Sequence, residues 1–197
     1  GWLNVAQGRD SNVSGQALLT SGLTAYYSDD QIIYFDLADG NIAQAKLRLR
    51  NFRGYDEPHG RFLAGYAMGE FSRSADAEFA SALGRQIGLD VGNYATSRVT
   101  AELGLAMLFT RLGLALDEQR QPQKGLLFAR IATWLAPSSD AAKLGLAELM
   151  DRQDLDTKAS ALLKGIAPNS PFWVQAVVNQ TQLVATPEES VAIARAA

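Results

Sequence analysis

The chain has 197 residues, 47% of them hydrophobic and 20% charged, with 18 basic against 21 acidic residues and no cysteine. This excludes intrinsic disorder, disulfides and thiolate chemistry, and a net charge of −3 with a pI near 5.2 gives no field that would draw the chain onto nucleic acid. With 31 Ala and 26 Leu against 7 Ile and 9 Val, and no uncharged apolar run of about 18 residues, it reads as a soluble all-α protein without a membrane span.

In chain order, the start at Gly1 without a basic or apolar leader predicts a processed or truncated product. With the missing cysteines, it favours an exported or periplasmic protein over a cytoplasmic one. Asn12-Val13-Ser14 fits a glycosylation acceptor in form, a pattern short enough to arise by chance. Residues 14–88 hold a weak internal repeat with an offset of 34, pairing Ile32 with Tyr66, Ile33 with Ala67, Leu37 with Phe71, Ala43 with Ala77 and Leu49 with Leu83. Ile32-Ile33-Tyr34-Phe35 is β-prone, but the repeat register makes it helical. Lys46, Arg48, Arg50 and Arg53 fan around a helix and read as a solvated surface. His59, in Glu57-Pro58-His59-Gly60, falls at a helix start, where capping or exposure outweighs catalysis.

Residues 88–100 read as an insertion, because Ala67 and Gly113 occupy matching places yet lie 46 apart. Residues 100–171 hold the clear repeats. Leu105, Leu108, Phe109, Leu112 and Leu116 recur at helical spacing, with Leu103, Met107 and Leu114 as a second strip, which predicts a helix buried on more than one side. Pro122 opens a helix over 123–136 that is expected to bury Leu127, Ile131 and Leu135. The unit then returns as helices over 140–152, with Leu144, Leu146, Leu149 and Met150, and 157–166, with Ala159, Leu162, Leu163 and Ile166. Pro168 and Pro171 precede a helix over 172–184, and Pro187 a last short one, so 172–197 reads as a capping hairpin with Glu188 and Glu189 in a first turn.

At the 34-residue offset Leu112 meets Leu146, Gly113 Ala147, Leu116 Met150, Gly125 Ala159, Ala132 Ile166 and Pro137 Pro171. The stretch FTRLGLALDEQRQPQKGLLFARIATWLAP, with Phe109, Leu112, Gly113 and Leu116 on one helix and Gly125, Ala129, Ala132 and Pro137 on the next, resembles the tetratricopeptide repeat (TPR). The chain departs from the pattern where Lys143 replaces Phe109 in the next unit. It is similar to the multi-repeat helical proteins of bacteria. The resemblance implies one domain over 1–197, a right-handed superhelical solenoid of about five antiparallel helix hairpins, irregular near 88–100. It also implies a non-enzymatic scaffold holding a peptide or partner protein in a concave groove. Carried over residue by residue, the groove candidates are Met107, Arg111 and Leu114, then Leu144, Glu148 and Asp151, then Gln175, Asn179 and Gln182. The paired Lys and Asn with which some relatives clamp a terminal carboxylate are missing.

No catalytic, cofactor or metal residue is assigned. A single histidine leaves no triad, Asp151, Asp154 and Asp156 lack the spacing of a calcium loop, and the 17 glycines form no phosphate loop. Gly104, Gly113, Gly145 and Gly165 fall in or at the ends of helices, where close helix approach is expected, and Asn179-Gln180-Thr181 lies on a helix. Two other classes stay open. One is a structural or homo-oligomerising module of a larger envelope or cytoplasmic complex, with Trp173 covered at the last hairpin or held in the core. The other is an α-helical enzyme with an unrecognised carboxylate site.

Overall fold

The computed structural model describes residues 25–74, 76–89, 96–183, 191–193 and 195. The expected helix at Pro187, the pair Glu188 and Glu189, and Asn12-Val13-Ser14 lie outside the described residues. Every regular element among those described is helical: α1 Ala25–Ala38, α2 Ile42–Asn51, α3 Pro58–Arg73, α4 Ala77–Gln86, α5 Ala101–Glu118, α6 Pro122–Leu135, α7 Asp140–Asp151, α8 Asp156–Lys164 and α9 Trp173–Leu183. The chain is all-α, and Ile32–Phe35 lie inside α1. It divides into two compact units, residues 1–108 and 109–197, with the boundary inside α5.

Successive helices are joined by one recurring turn. At the ends of α1, α3, α5 and α7 a backbone N–H donates to the carbonyl five residues back: Asn41 to Asp36, Asp76 to Phe71, Gln121 to Leu116 and Leu155 to Met150. At three of them an inner bond, Gly40 to Leu37, Arg120 to Asp117 or Asp154 to Asp151, completes a Schellman closure. The residue donating the inner bond is left-handed, with φ of 75° at Gly40, 59° at Arg120 and 56° at Asp154. Arg120 and Asp154 are 34 residues apart, as are the outer bonds of their turns, so the sequence period is a period of turn geometry. At the opposite ends of the hairpins, Pro58 and Pro122 start helices where the first N–H needs no partner, and the Ser139 hydroxyl accepts from the Ala142 N–H at 3.1 Å.

The two helices of a hairpin differ in burial. In α1 every residue from Asp30 to Leu37 is buried, in α3 every residue from Phe62 to Gly69, and in α7 eight of twelve. Second helices bury one stripe each: Ala45 and Leu49 on α2, Ala80, Leu83 and Gly84 on α4, Gly125, Leu126, Ala129 and Ala132 on α6, Ala159 and Leu163 on α8. Each large side chain in these cores contributes about 1.5–3 kcal/mol of transfer free energy. The α6 stripe corrects the sequence reading. Leu127 is 56% exposed, and Ile131 and Leu135 are half-buried, because small residues four and seven apart let α6 approach α5.

That approach is closest at two glycines. A methyl on Gly113 would stand 2.8 Å from the Gly125 carbonyl oxygen, and one on Gly125 would stand 2.6 Å from the Gly113 carbonyl oxygen. Nearby, the Phe109 and Phe128 rings lie 5.6 Å apart. Within the second unit α5 also meets α7, where a methyl on Gly145 would fall 2.5 Å from Thr110 Cγ2, and α7 packs on α6, α8 and α9. Within the first unit α1 packs on α2 and α3, and α3 on α4. The 96–99 segment is tied to α3 by the Val99 N–H donating to Glu70 at 2.7 Å and by Arg73 donating to the Thr96 carbonyl at 3.1 Å.

Two predictions follow from turn and crossing. Gly113→Ala improves helix propensity by about 1 kcal/mol, yet its methyl must displace backbone, so we expect a net loss of about 1–3 kcal/mol in thermal unfolding. An unchanged melting temperature would show that α5 and α6 separate freely. Arg120→Gly relieves a left-handed conformation costing roughly 1–2 kcal/mol and adds unfolded-chain entropy, for a net gain of about 0.5–1 kcal/mol in urea unfolding. Asp154→Gly should gain less, since a short polar side chain tolerates this region.

Candidate functional site

Three of the four clustered cations stand on one side of α2 and its exit: Lys46, Arg50 and Arg53, at i, i+4 and i+7. With Leu49, Phe52 and Tyr55 they form one wall of an open trough of about 480 Å³, whose other wall is Asp76, Glu78, Phe79, Ala82, Leu83 and Gln86 of α4 and its cap. Lys46 is ion-paired with Asp76, and its ammonium lies 4.9 Å from the Phe79 ring centre, with the Arg50 guanidinium 5.8 Å from the same centre. Phe79 is fixed from behind by an edge contact with buried Phe71, ring centres 4.6 Å apart. Asp76 caps α4 by accepting from the Phe79 N–H at 3.3 Å, and the bond from Lys46 holds its carboxyl below the usual range. At the α2 exit, Phe52 stands edge-on to Tyr55 and His59, and the Tyr55 hydroxyl donates to the Leu49 carbonyl at 2.7 Å. Burial pushes the Tyr55 hydroxyl up to about 12, so it stays a donor at neutral pH.

Arg48 turns the other way and donates to Asp36 of α1 at 2.8 Å. The Asp36 side chain is only 3% exposed, and its burial raises the carboxyl pKa despite the guanidinium beside it. The four cations thus have different partners, which a solvated surface would not give them. The i, i+4, i+7 subset was the available signal in the sequence.

The expected groove is only partly accessible. Met107 and Leu144 are buried at 4% and 2% exposure, a correction with a simple cause: first helices here are covered around most of their circumference. Arg111, Leu114, Glu148 and Asn179 are half-buried, and Asp151, Gln175 and Gln182 are exposed. The structure places Leu114, Glu148 and Gln182 at one repeat position on α5, α7 and α9. Glu148 is joined to Arg152, which also reaches Asp117 at 2.8 Å, and Gln175 donates to Asn179 at 2.7 Å. Trp173 is half-buried.

The side chain that sequence reading passed over is Trp134, which is 79% exposed on α6. Leu127, Arg130 and Trp134 fall at i, i+3 and i+7 on one outward face, and α6 contains no acidic residue. No family model, curated protein or solved structure matches the chain. Among the described residues no three His, Asp or Glu are grouped to hold a metal ion, and no helix is long and apolar enough to cross a membrane.

Arg48→Met should expose the electrostatics beside the trough. Breaking a buried pair from one side costs about 3–5 kcal/mol, and since Arg48 keeps 40% of its side-chain surface in water, we expect about 1–3 kcal/mol at pH 7. Asp36 already binds its proton more tightly folded than unfolded, so it favours the native state at acid pH, and this contribution is lost as pH rises through its raised pKa. The variant's deficit should therefore shrink as pH falls toward the ordinary aspartate value of about 3.9. A deficit constant with pH would assign the loss to packing.

Proposed function

We propose that the protein is a non-enzymatic scaffold of TPR-like helical hairpins, stacked as a right-handed solenoid, that docks a partner protein. The architectural part is supported by the 34-residue recurrence of the closure turns, the small-residue crossing at Gly113 and Gly125, and the packing of each first helix on its own second helix and on the next hairpin. The functional part is carried by one observation, the exposure of Trp134 and Leu127 on a single face of α6. Tryptophan in water forgoes a large transfer free energy, and it is enriched at the centres of protein interfaces. Nothing in the packing of α6, which buries its small-residue stripe, requires it outside.

Lys124 and Arg130 flank the apolar pair without a carboxylate on the helix. The complementary occupant is a partner helix with apolar residues and carboxylates on one face. The polar positions Leu114, Glu148 and Gln182 would form a second, first-helix face in the same scaffold.

The test places a photocrosslinking benzoyl-phenylalanine at position 134 in the native cell, with the same group at the turn residue Gln119 as control. We expect one adduct specific to position 134, lost when Leu127→Asp and Arg130→Glu are added, while melting stays within about 2 °C, as surface changes do. No adduct, or the same adducts from Gln119, would overturn the reading. An adduct with the mass of two copies of this chain would replace it by self-association.

A further inference from the structure

We infer that the trough between α2 and α4 recognises an extended acidic peptide segment bearing an apolar side chain. The inference does not rest on the α6 face, which belongs to the other unit. The contacts advance in parallel along both helices, Lys46 with Asp76 and Arg50 with Phe79, so the trough has a direction, leading from the α4 cap toward Arg53. At its first end charge is already satisfied, because Lys46 and the Phe79 N–H share the Asp76 carboxylate, and Glu78 adds a negative charge there. Along the rest, Arg50 and Arg53 are exposed, and neither forms an ion pair with a described residue.

Two guanidiniums without acids, beside an aromatic face that holds one of them in place, favour a planar anion that accepts forked hydrogen bonds. Glu78 directs that anion away from the cap. Between the walls, Phe52, Phe79 and Ala82 offer apolar surface over buried Leu49 and Leu83, where an aliphatic or aromatic side chain can lie. From Lys46 to Arg53 the rise is about 10 Å at 1.5 Å per residue, the length of roughly three extended residues at 3.3 Å each. The trough is open along this length, which suits a passing chain. A carboxylate one or two positions from a Leu or Phe would meet both features.

The probe is a displayed library of short random peptides, panned on the full chain and counter-selected on an Arg50→Ala/Arg53→Ala variant whose helicity is checked by circular dichroism. We expect enriched sequences with Asp or Glu within two residues of Leu, Ile or Phe. Measured by fluorescence polarisation, they should bind the double variant at least tenfold more weakly and Phe79→Ala severalfold more weakly. Arg50→Lys/Arg53→Lys should recover part of the affinity, keeping charge without the fork. The inference fails if the enriched peptides lack acids, if binding survives in the double variant, or if inorganic phosphate or a single-stranded oligonucleotide binds the trough more tightly than they do. It also fails if Arg111→Ala/Asn179→Ala abolishes binding while the trough variants do not, since the peptide would then lie on the first helices.

Discussion

A backbone hydrogen bond spanning five residues organises this protein. Once the N–H of Gln121 has reached the carbonyl of Leu116, α6 can only return along α5, and the same bond at Leu155 returns α8 along α7. The closure needs a left-handed residue, and the chain supplies it with Gly40 once and with Arg120 and Asp154 twice, accepting strain where glycine would have none. Everything downstream depends on the return angle. The two helices must touch within their first turns, so the touching residues must be small, and Gly113 and Gly125 face each other's carbonyl oxygens.

The hairpin geometry also divides labour between the helices. First helices have neighbours on several sides and are buried almost all round, which leaves few positions for chemistry. Second helices bury a single stripe and keep the rest of their surface. On α2 and α6 that surface carries Lys, Arg and aromatic or aliphatic residues with no acid in either helix, although the whole chain is net acidic. Both proposed recognition surfaces involve these second helices.

The helices and their pairing were legible in sequence because spacing alone encodes them: prolines 34 apart, small residues at crossings, and a register strong enough to make β-prone Ile32–Phe35 helical. Which face of a helix is buried was less legible. On α6, Leu127, Ile131 and Leu135 form a regular apolar row, and so do Gly125, Ala129 and Ala132. Hydrophobicity favours the first row, whereas the constraint of close approach favours the second. Met107 and Leu144 erred in the opposite direction, taken as groove residues by analogy and found buried. The trough was illegible for a different reason. Its cations acquire meaning from Asp36, Asp76 and Phe79, which lie 10 to 30 residues away, and only the fold shows that Arg48 belongs to one partner and Lys46 to another.

A net charge of −3 does not oppose an acidic ligand at such a site. At physiological ionic strength, charges beyond about 8 Å are largely screened, so an approaching carboxylate responds to the few groups within that distance. Near the trough these are Lys46, Arg50 and Arg53 against Asp76 and Glu78. Lys46 and Asp76 largely cancel, while Arg50 and Arg53 outweigh the single exposed Glu78. A charge-assisted hydrogen bond is about twice as strong as a neutral one, and two guanidiniums present several donors against one repulsive group at the trough's opposite end. The local sign therefore governs recognition. The global sign governs only how fast a distant acidic partner arrives, which makes slow association with high-salt tolerance of the rate the natural behaviour of this pairing.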